Sequence, residues 1–163
     1  MNSSDVLRQQ LLELLGGGNA HMRIDQAVAD FPIDRINQHP GNSSYTPWRL
    51  LEHIRIAQWD ILEFIRDPAY VSPPWPSGYW PAEGEQADAE KWQKTIRDFN
   101  SDHQALIDLV ADPKTDLTSN IPHVPGYTIL REILVVSDHN SYHLGEFGLL
   151  RQVIEAWPDD RQG

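Results

Sequence analysis

A chain of 163 residues, 40% of them hydrophobic and 23% charged, reads as one globular domain over residues 1–163, large enough to bury a core without a disulfide or structural metal. Its 13 Lys+Arg against 24 Asp+Glu leave a net charge of -11, which disfavours nucleic acid and anionic lipid as partners. A mean hydropathy of -0.50 with no apolar run of about 18 residues excludes a spanning helix, and the absence of cysteine leaves only His, Asp and Glu as metal ligands.

Met1-Asn2-Ser3-Ser4 carries neither a basic segment nor an apolar stretch, so no export signal is expected and the location is expected to be cytoplasmic. Apolar residues recur at the helical period and no strand alternation of useful length appears, so the expected fold class is all-α. Ser3 or Ser4 is expected to cap a first helix carrying Val6, Leu7, Leu11, Leu14 and Leu15. Gly16-Gly17-Gly18 ends it, because each glycine costs a helix about 1 kcal/mol; with no Gly-Lys-Ser/Thr continuation the run is a helix break, not a phosphate loop. A short helical piece over 23–30 stops at Pro32, and 37–45 is a loop.

Thr46-Pro47 places a hydroxyl cap before a proline at the first helical position, opening a long helix that Asp67-Pro68 closes. Residues 71–85 are too rich in proline and glycine to be regular; Trp75, Tyr79 and Trp80 there line a pocket, form a dimer surface or cap the helices. Trp92, Ile96, Phe99, His103, Leu106 and Val110 trace one stripe of a third long helix ending at Asp112-Pro113. After an irregular connection over 114–126, a last helix runs from about 128 to 157, where Pro158 and a polar tail over about 158–163 end it. Three helices of some 20 to 30 residues and a shorter first one predict a four-helix bundle with long irregular connections.

Seven histidines are present. His139 and His143 stand at i, i+4, about 40° apart around the axis, and both can reach one point. Ile129, Val136, Phe147 and Ile154 cluster within about 20° as the buried stripe of that helix, so the pair faces inward. His53 lies at the edge of the stripe formed by Leu50, Ile54, Ala57, Ile61 and Ile65. On pattern alone His53 reads first as a hydrogen-bonded edge histidine, yet all three could point into one cavity between helices. Three neutral imidazoles suit a divalent ion, Zn or Ni before Fe, Mn or Cu, with a position left open. Such an ion lowers the pKa of bound water to roughly 7 or activates a thiol.

The segments Trp48-Arg49-Leu50-Leu51-Glu52-His53-Ile54-Arg55-Ile56-Ala57-Gln58 and Asp138-His139-Asn140-Ser141-Tyr142-His143-Leu144-Gly145 resemble the DinB/YfiT-like superfamily, and the resemblance covers most of the chain. It implies a four-helix bundle, a divalent metal held by His53, His139 and His143, and a homodimer. It also implies a family that includes transferases and isomerases using low-molecular-weight thiols such as bacillithiol or mycothiol, beside members without known activity. Asn140 follows His139, so the His-Glu-x-x-His base of zinc proteases is absent. Glu52, Asp138 and Glu146 are near enough in sequence to orient the imidazoles, although each singly reads first as a surface carboxylate. His21 and His123 could reach the cavity from loops, and Trp48 and Trp59 could shape it, whereas His103 reads as a core histidine outside the site. The expected function is metal-dependent transferase or hydrolase chemistry on a small molecule; the alternative is a non-catalytic stress or ligand-binding bundle.

Overall fold

Side-chain caps begin each long helix of the structure, a computed structural model that describes residues 2–158. Helices α1 (Ser3–Gly16), α2 (Ile24–Val28), α3 (Pro47–Arg66), α4 (Ala89–Ala111) and α5 (Ile129–Val153) follow in chain order, with strands β1 (Asn120–Ile121) and β2 (Val124–Thr128) before α5. Thr46 Oγ1 accepts from the Arg49 N–H at 3.3 Å, Asp88 Oδ1 from Lys91 at 2.8 Å and Thr128 Oγ1 from Arg131 at 3.1 Å. The cap of α1 is Asn2, not Ser3 or Ser4. Its Oδ1 accepts from the Asp5 N–H at 2.9 Å while the Asp5 carboxylate accepts from the Asn2 N–H at 3.1 Å, a reciprocal pair that satisfies two donors where a serine hydroxyl satisfies one.

Helix α3 packs on α4 and α5, α1 packs on the same two helices, and α2 lies on α5. One buried cluster gathers Phe31, Trp48, Ile54, Trp92, Phe99 and Phe147; a second gathers Leu11, Leu62, Leu106, Val110, Ile133 and Val136. Each such side chain contributes roughly 1.5–3 kcal/mol on leaving water, which fixes the rotation of α3 and α5 and hence the directions of His53, His139 and His143. The predicted stripe of α5 is buried at Val136, Phe147 and Ile154. At Gly148 a Cβ would stand 3.1 Å from Met22 Cε, so the missing side chain lets the segment before α2 lie close on α5.

Two parts of the chain depart from the sequence reading. Inside the connection expected to be irregular, β1 and β2 pair antiparallel; a two-residue and a five-residue strand are too short to show alternation. Helix α5 ends at Val153, short of the expected 157, because Glu155 takes φ 53° and the Ala156 N–H turns back to the Arg151 carbonyl at 2.9 Å. Reversal of the backbone, not Pro158, stops the helix. The expected tail lies outside the described residues beyond 158. Among the described residues no helix is long and apolar enough to cross a membrane.

His103 is half-buried and stacks on Phe99 with 12° between planes. Its Nε2–H donates at 3.0 Å to the Leu15 carbonyl, one of the last carbonyls of α1, which have no partner within their own helix. Burial lowers its pKa from the ordinary 6.5. Above 6.5 the neutral ring is present in both states; as pH falls from 6.5 toward the folded value, the unfolded chain takes up the proton first and stability is lost. For metal-free protein, the thermal midpoint is therefore expected to drop between pH 7.5 and 5, less steeply in His103→Gln, whose amide keeps a donor. Parallel curves for the two proteins would contradict this.

Candidate metal centre

His53 is 3% exposed on α3, and His139 and His143 are half-buried on consecutive turns of α5. One nitrogen from each of the three rings lies within 4.8 Å of the others. His53 Nε2 is 3.1 Å from His143 Nε2 and 3.2 Å from His139 Nε2.

The outward nitrogens fix which atoms point to the centre. His53 Nδ1 is 2.8 Å from the Tyr79 carbonyl, which only accepts, so Nδ1 carries the hydrogen and Nε2 the lone pair. His143 Nδ1 donates to Glu146 Oε2 at 2.7 Å, leaving its Nε2 lone pair inward as well. With both rings neutral, the 3.1 Å contact sets two lone pairs against each other. Burial and the two neighbouring imidazoles push the His139 pKa down to about 4, and burial lowers that of His53, so a positive charge on either of these two rings is disfavoured.

A cation suits this donor set. Two nitrogens at ~2.0–2.1 Å from a tetrahedral zinc stand about 3.3–3.4 Å apart, close to the two spacings observed. Three imidazoles occupy three positions of such a sphere and leave a fourth for another ligand.

Three elements hold His53 and His143 in place. Trp80 stacks on His53 with centroids 3.9 Å apart and 2° between planes, and Tyr45 stacks on Trp80 at 5.4 Å. Burial first, then the nearby Glu146 carboxylate, push the Tyr45 hydroxyl up to about 12. Glu146 therefore lies beside Tyr45 while accepting from His143. The loop that supplies Tyr79 and Trp80 is tied to α3 at Asp60, 8% exposed, which accepts from Tyr70 Oη at 3.0 Å and Tyr79 Oη at 2.7 Å. His139 is held less firmly: its Nδ1 stands 3.5 Å from Asn140 Oδ1, while Asn140 Nδ2 donates to the buried Gln58 at 3.0 Å.

Of the three carboxylates expected near the imidazoles, Glu146 alone touches one. It lies at i+3 from His143 and shares its face, whereas Glu52 and Asp138 immediately precede a histidine and project about 100° away. Glu52 instead pairs with Arg55 at 2.7 Å and accepts from Thr95 Oγ1 of α4 at 2.6 Å. Asp138 is exposed. His21 meets Ser141 at 2.9 Å, on the side of α5 away from the three rings. His123 donates at 3.0 Å to the Phe64 carbonyl and so serves the C-terminal end of α3. Trp48, 1% exposed, donates to Thr95 at 3.2 Å and packs in the core; Trp59 lies edge-on to Tyr70 at 5.5 Å. Of the aromatic loop, Tyr79 and Trp80 close over His53 while Trp75 is 76% exposed.

The sequence reading missed Tyr45, Asp60 and the Tyr79 carbonyl. The one available signal was the Tyr79-Trp80 pair in a loop too aromatic to be a mere linker.

Comparison with curated proteins and with solved structures gives no match. The family model described as the DinB superfamily matches residues 19–147, a span that holds all three converging histidines. The chain belongs to the DinB superfamily.

Proposed function

We propose that α1, α3, α4 and α5 form the four-helix bundle expected of this family, and that His53, His139 and His143 hold one divalent ion, Zn or Ni by preference, for chemistry on a small molecule. The observation that carries this reading is the convergence of three imidazoles, two of which, His53 and His143, already commit their outward nitrogens as donors. When bound, the ion supplies Lewis acidity and lowers the pKa of a water or thiol that reaches it. The chain's own residues do the positioning. The Tyr79 carbonyl and the Trp80 face orient His53, Glu146 orients His143, and the Trp80–Tyr45 stack screens one side of the centre from water. Membership of the family supports a low-molecular-weight thiol as co-substrate, for a transferase or hydrolase type of reaction.

One observation favours the second reading, a non-catalytic ligand-binding bundle. The carboxylate at the centre, Glu146, is already engaged by His143, and Asn140 stands where a zinc protease carries its base, so proton transfer falls to substrate or solvent. Zinc- or nickel-loaded protein, incubated with a panel of low-molecular-weight thiols and a model electrophile, is expected to consume thiol in a manner abolished by chelation. No consumption across the panel would favour the binding role. The apolar side chains exposed along α5, Val135, Tyr142, Leu149 and Val153, support a homodimer; sedimentation of Leu149→Glu as a monomer beside a dimeric wild type tests it.

A further inference from the structure

We infer that a cavity separate from the histidine centre binds a small uncharged molecule with an apolar body and one hydrogen-bonding group. The cavity, about 370 Å³, lies between the C-terminal end of α1, the segment leading into α2, α4 and one face of α5. That volume falls at the lower end of the range of about 300–1,000 Å³ found for small-molecule sites. Ser137, Asn140, Ser141 and Leu144 present this face, centred about 130° around the helix from His139 and His143 at ~100° per residue. The three histidines do not line it.

Its walls are apolar at Leu15, Ile54, Phe99 and Leu144, all but fully buried. Set among them is Ser137, 8% exposed, whose Oγ is the buried side-chain polar atom that has no hydrogen-bond partner among the described residues. Buried hydroxyls are almost always paired; of the other polar groups of the lining, Asn100 is exposed and three more are engaged. Ser141 Oγ donates to the Ser137 carbonyl at 2.7 Å, Asn140 Nδ2 to Gln58 at 3.0 Å and His103 Nε2 to the Leu15 carbonyl at 3.0 Å. The Ser137 hydroxyl is the buried group left to meet a ligand.

Charge argues for a neutral ligand. Arg23 and Asp25 at the rim pair with each other at 2.5 Å and leave no net charge facing inward. A carboxylate or ammonium entering would lose its hydration without gaining an opposite charge. A hydroxyl or carbonyl on an aromatic or aliphatic body meets both the walls and Ser137.

The test is calorimetric titration of the full chain with naphthylmethanol, with ethylnaphthalene as its isostere lacking the hydroxyl, and with naphthoate as its charged counterpart. Wild type is expected to bind naphthylmethanol about tenfold or more tighter than either counterpart, the scale of one hydrogen bond to a buried group. Ser137→Ala is expected to lower that affinity to the level of ethylnaphthalene while raising the thermal midpoint of the free protein, because an unpartnered buried hydroxyl is removed. His139→Ala is expected to bind naphthylmethanol as wild type does, even where metal is lost. The inference is overturned if none of the three binds saturably, if the alcohol has no preference in wild type, if Ser137→Ala keeps that preference, or if His139→Ala abolishes binding.

Discussion

Arg151→Met is expected to lower stability by about 3–5 kcal/mol, a drop of roughly 6–20 °C in thermal midpoint for a chain of this size. Arg151 is 0% exposed. Its guanidinium donates to the carbonyls of Ala27 at 2.6 Å, Ala29 at 2.7 Å and Ala156 at 3.0 Å, and lies over the rings of Phe31 and Trp157. It thus joins the end of α5 to the end of α2 and to the reversed chain after α5. Methionine keeps most of the aliphatic length but leaves three carbonyls without their donor, and each unsatisfied buried acceptor costs about 1–3 kcal/mol. Arg151→Lys retains the charge with a single donor centre and should fall between the two. Denaturant unfolding checks the ranking, and a loss below about 1 kcal/mol in Arg151→Met, the scale of an ordinary substitution, would contradict this role.

The second large effect is expected at Asp60, which touches no histidine. Asp60→Ala removes the acceptor of Tyr70 and Tyr79 and is expected to cost about 2–4 kcal/mol, since hydrogen bonds to a charged group contribute about 1.5–3 kcal/mol each and the partly exposed hydroxyls regain some of it from water. Freed from α3, the loop no longer holds the Tyr79 carbonyl against His53 Nδ1 or Trp80 against its ring. Loss of a group that orients a metal-binding histidine typically lowers affinity about 10–100-fold, and that range is expected for zinc. Tyr70→Phe separates the two consequences, because Tyr70 bonds Asp60 without touching His53. It should lose stability and keep its zinc affinity; unchanged affinity in Asp60→Ala would show that the loop does not position His53.

Much of the frame was legible because its signals are local. Thr46-Pro47, Asp67-Pro68, Asp112-Pro113 and Thr128 mark helix ends by side chains that act within one turn, and the i, i+4 pair His139/His143 is set by helical geometry alone. What escaped depends on contacts between distant segments. Tyr79 reaches His53 through a backbone carbonyl, which no side-chain pattern encodes, and Tyr45 reaches Glu146 from a loop whose path the sequence does not reveal. His103 and His123 do the same work, each completing the carbonyls at a helix end, but only His103 sits on an amphipathic stripe that hints at it. Arg151 was detectable in principle, since it falls within about 40° of the buried stripe of α5, where a charged residue demands partners.

The central claim is that His53, His139 and His143 form one metal site. Elemental analysis of protein purified without an affinity tag and dialysed after incubation with zinc or nickel, for wild type and the alanine variant at each histidine, tests it most directly. The account predicts one ion per chain in wild type and its loss in all three variants, with folding intact by circular dichroism. Wild-type protein that holds no ion, or a variant that keeps the wild-type stoichiometry, would contradict it.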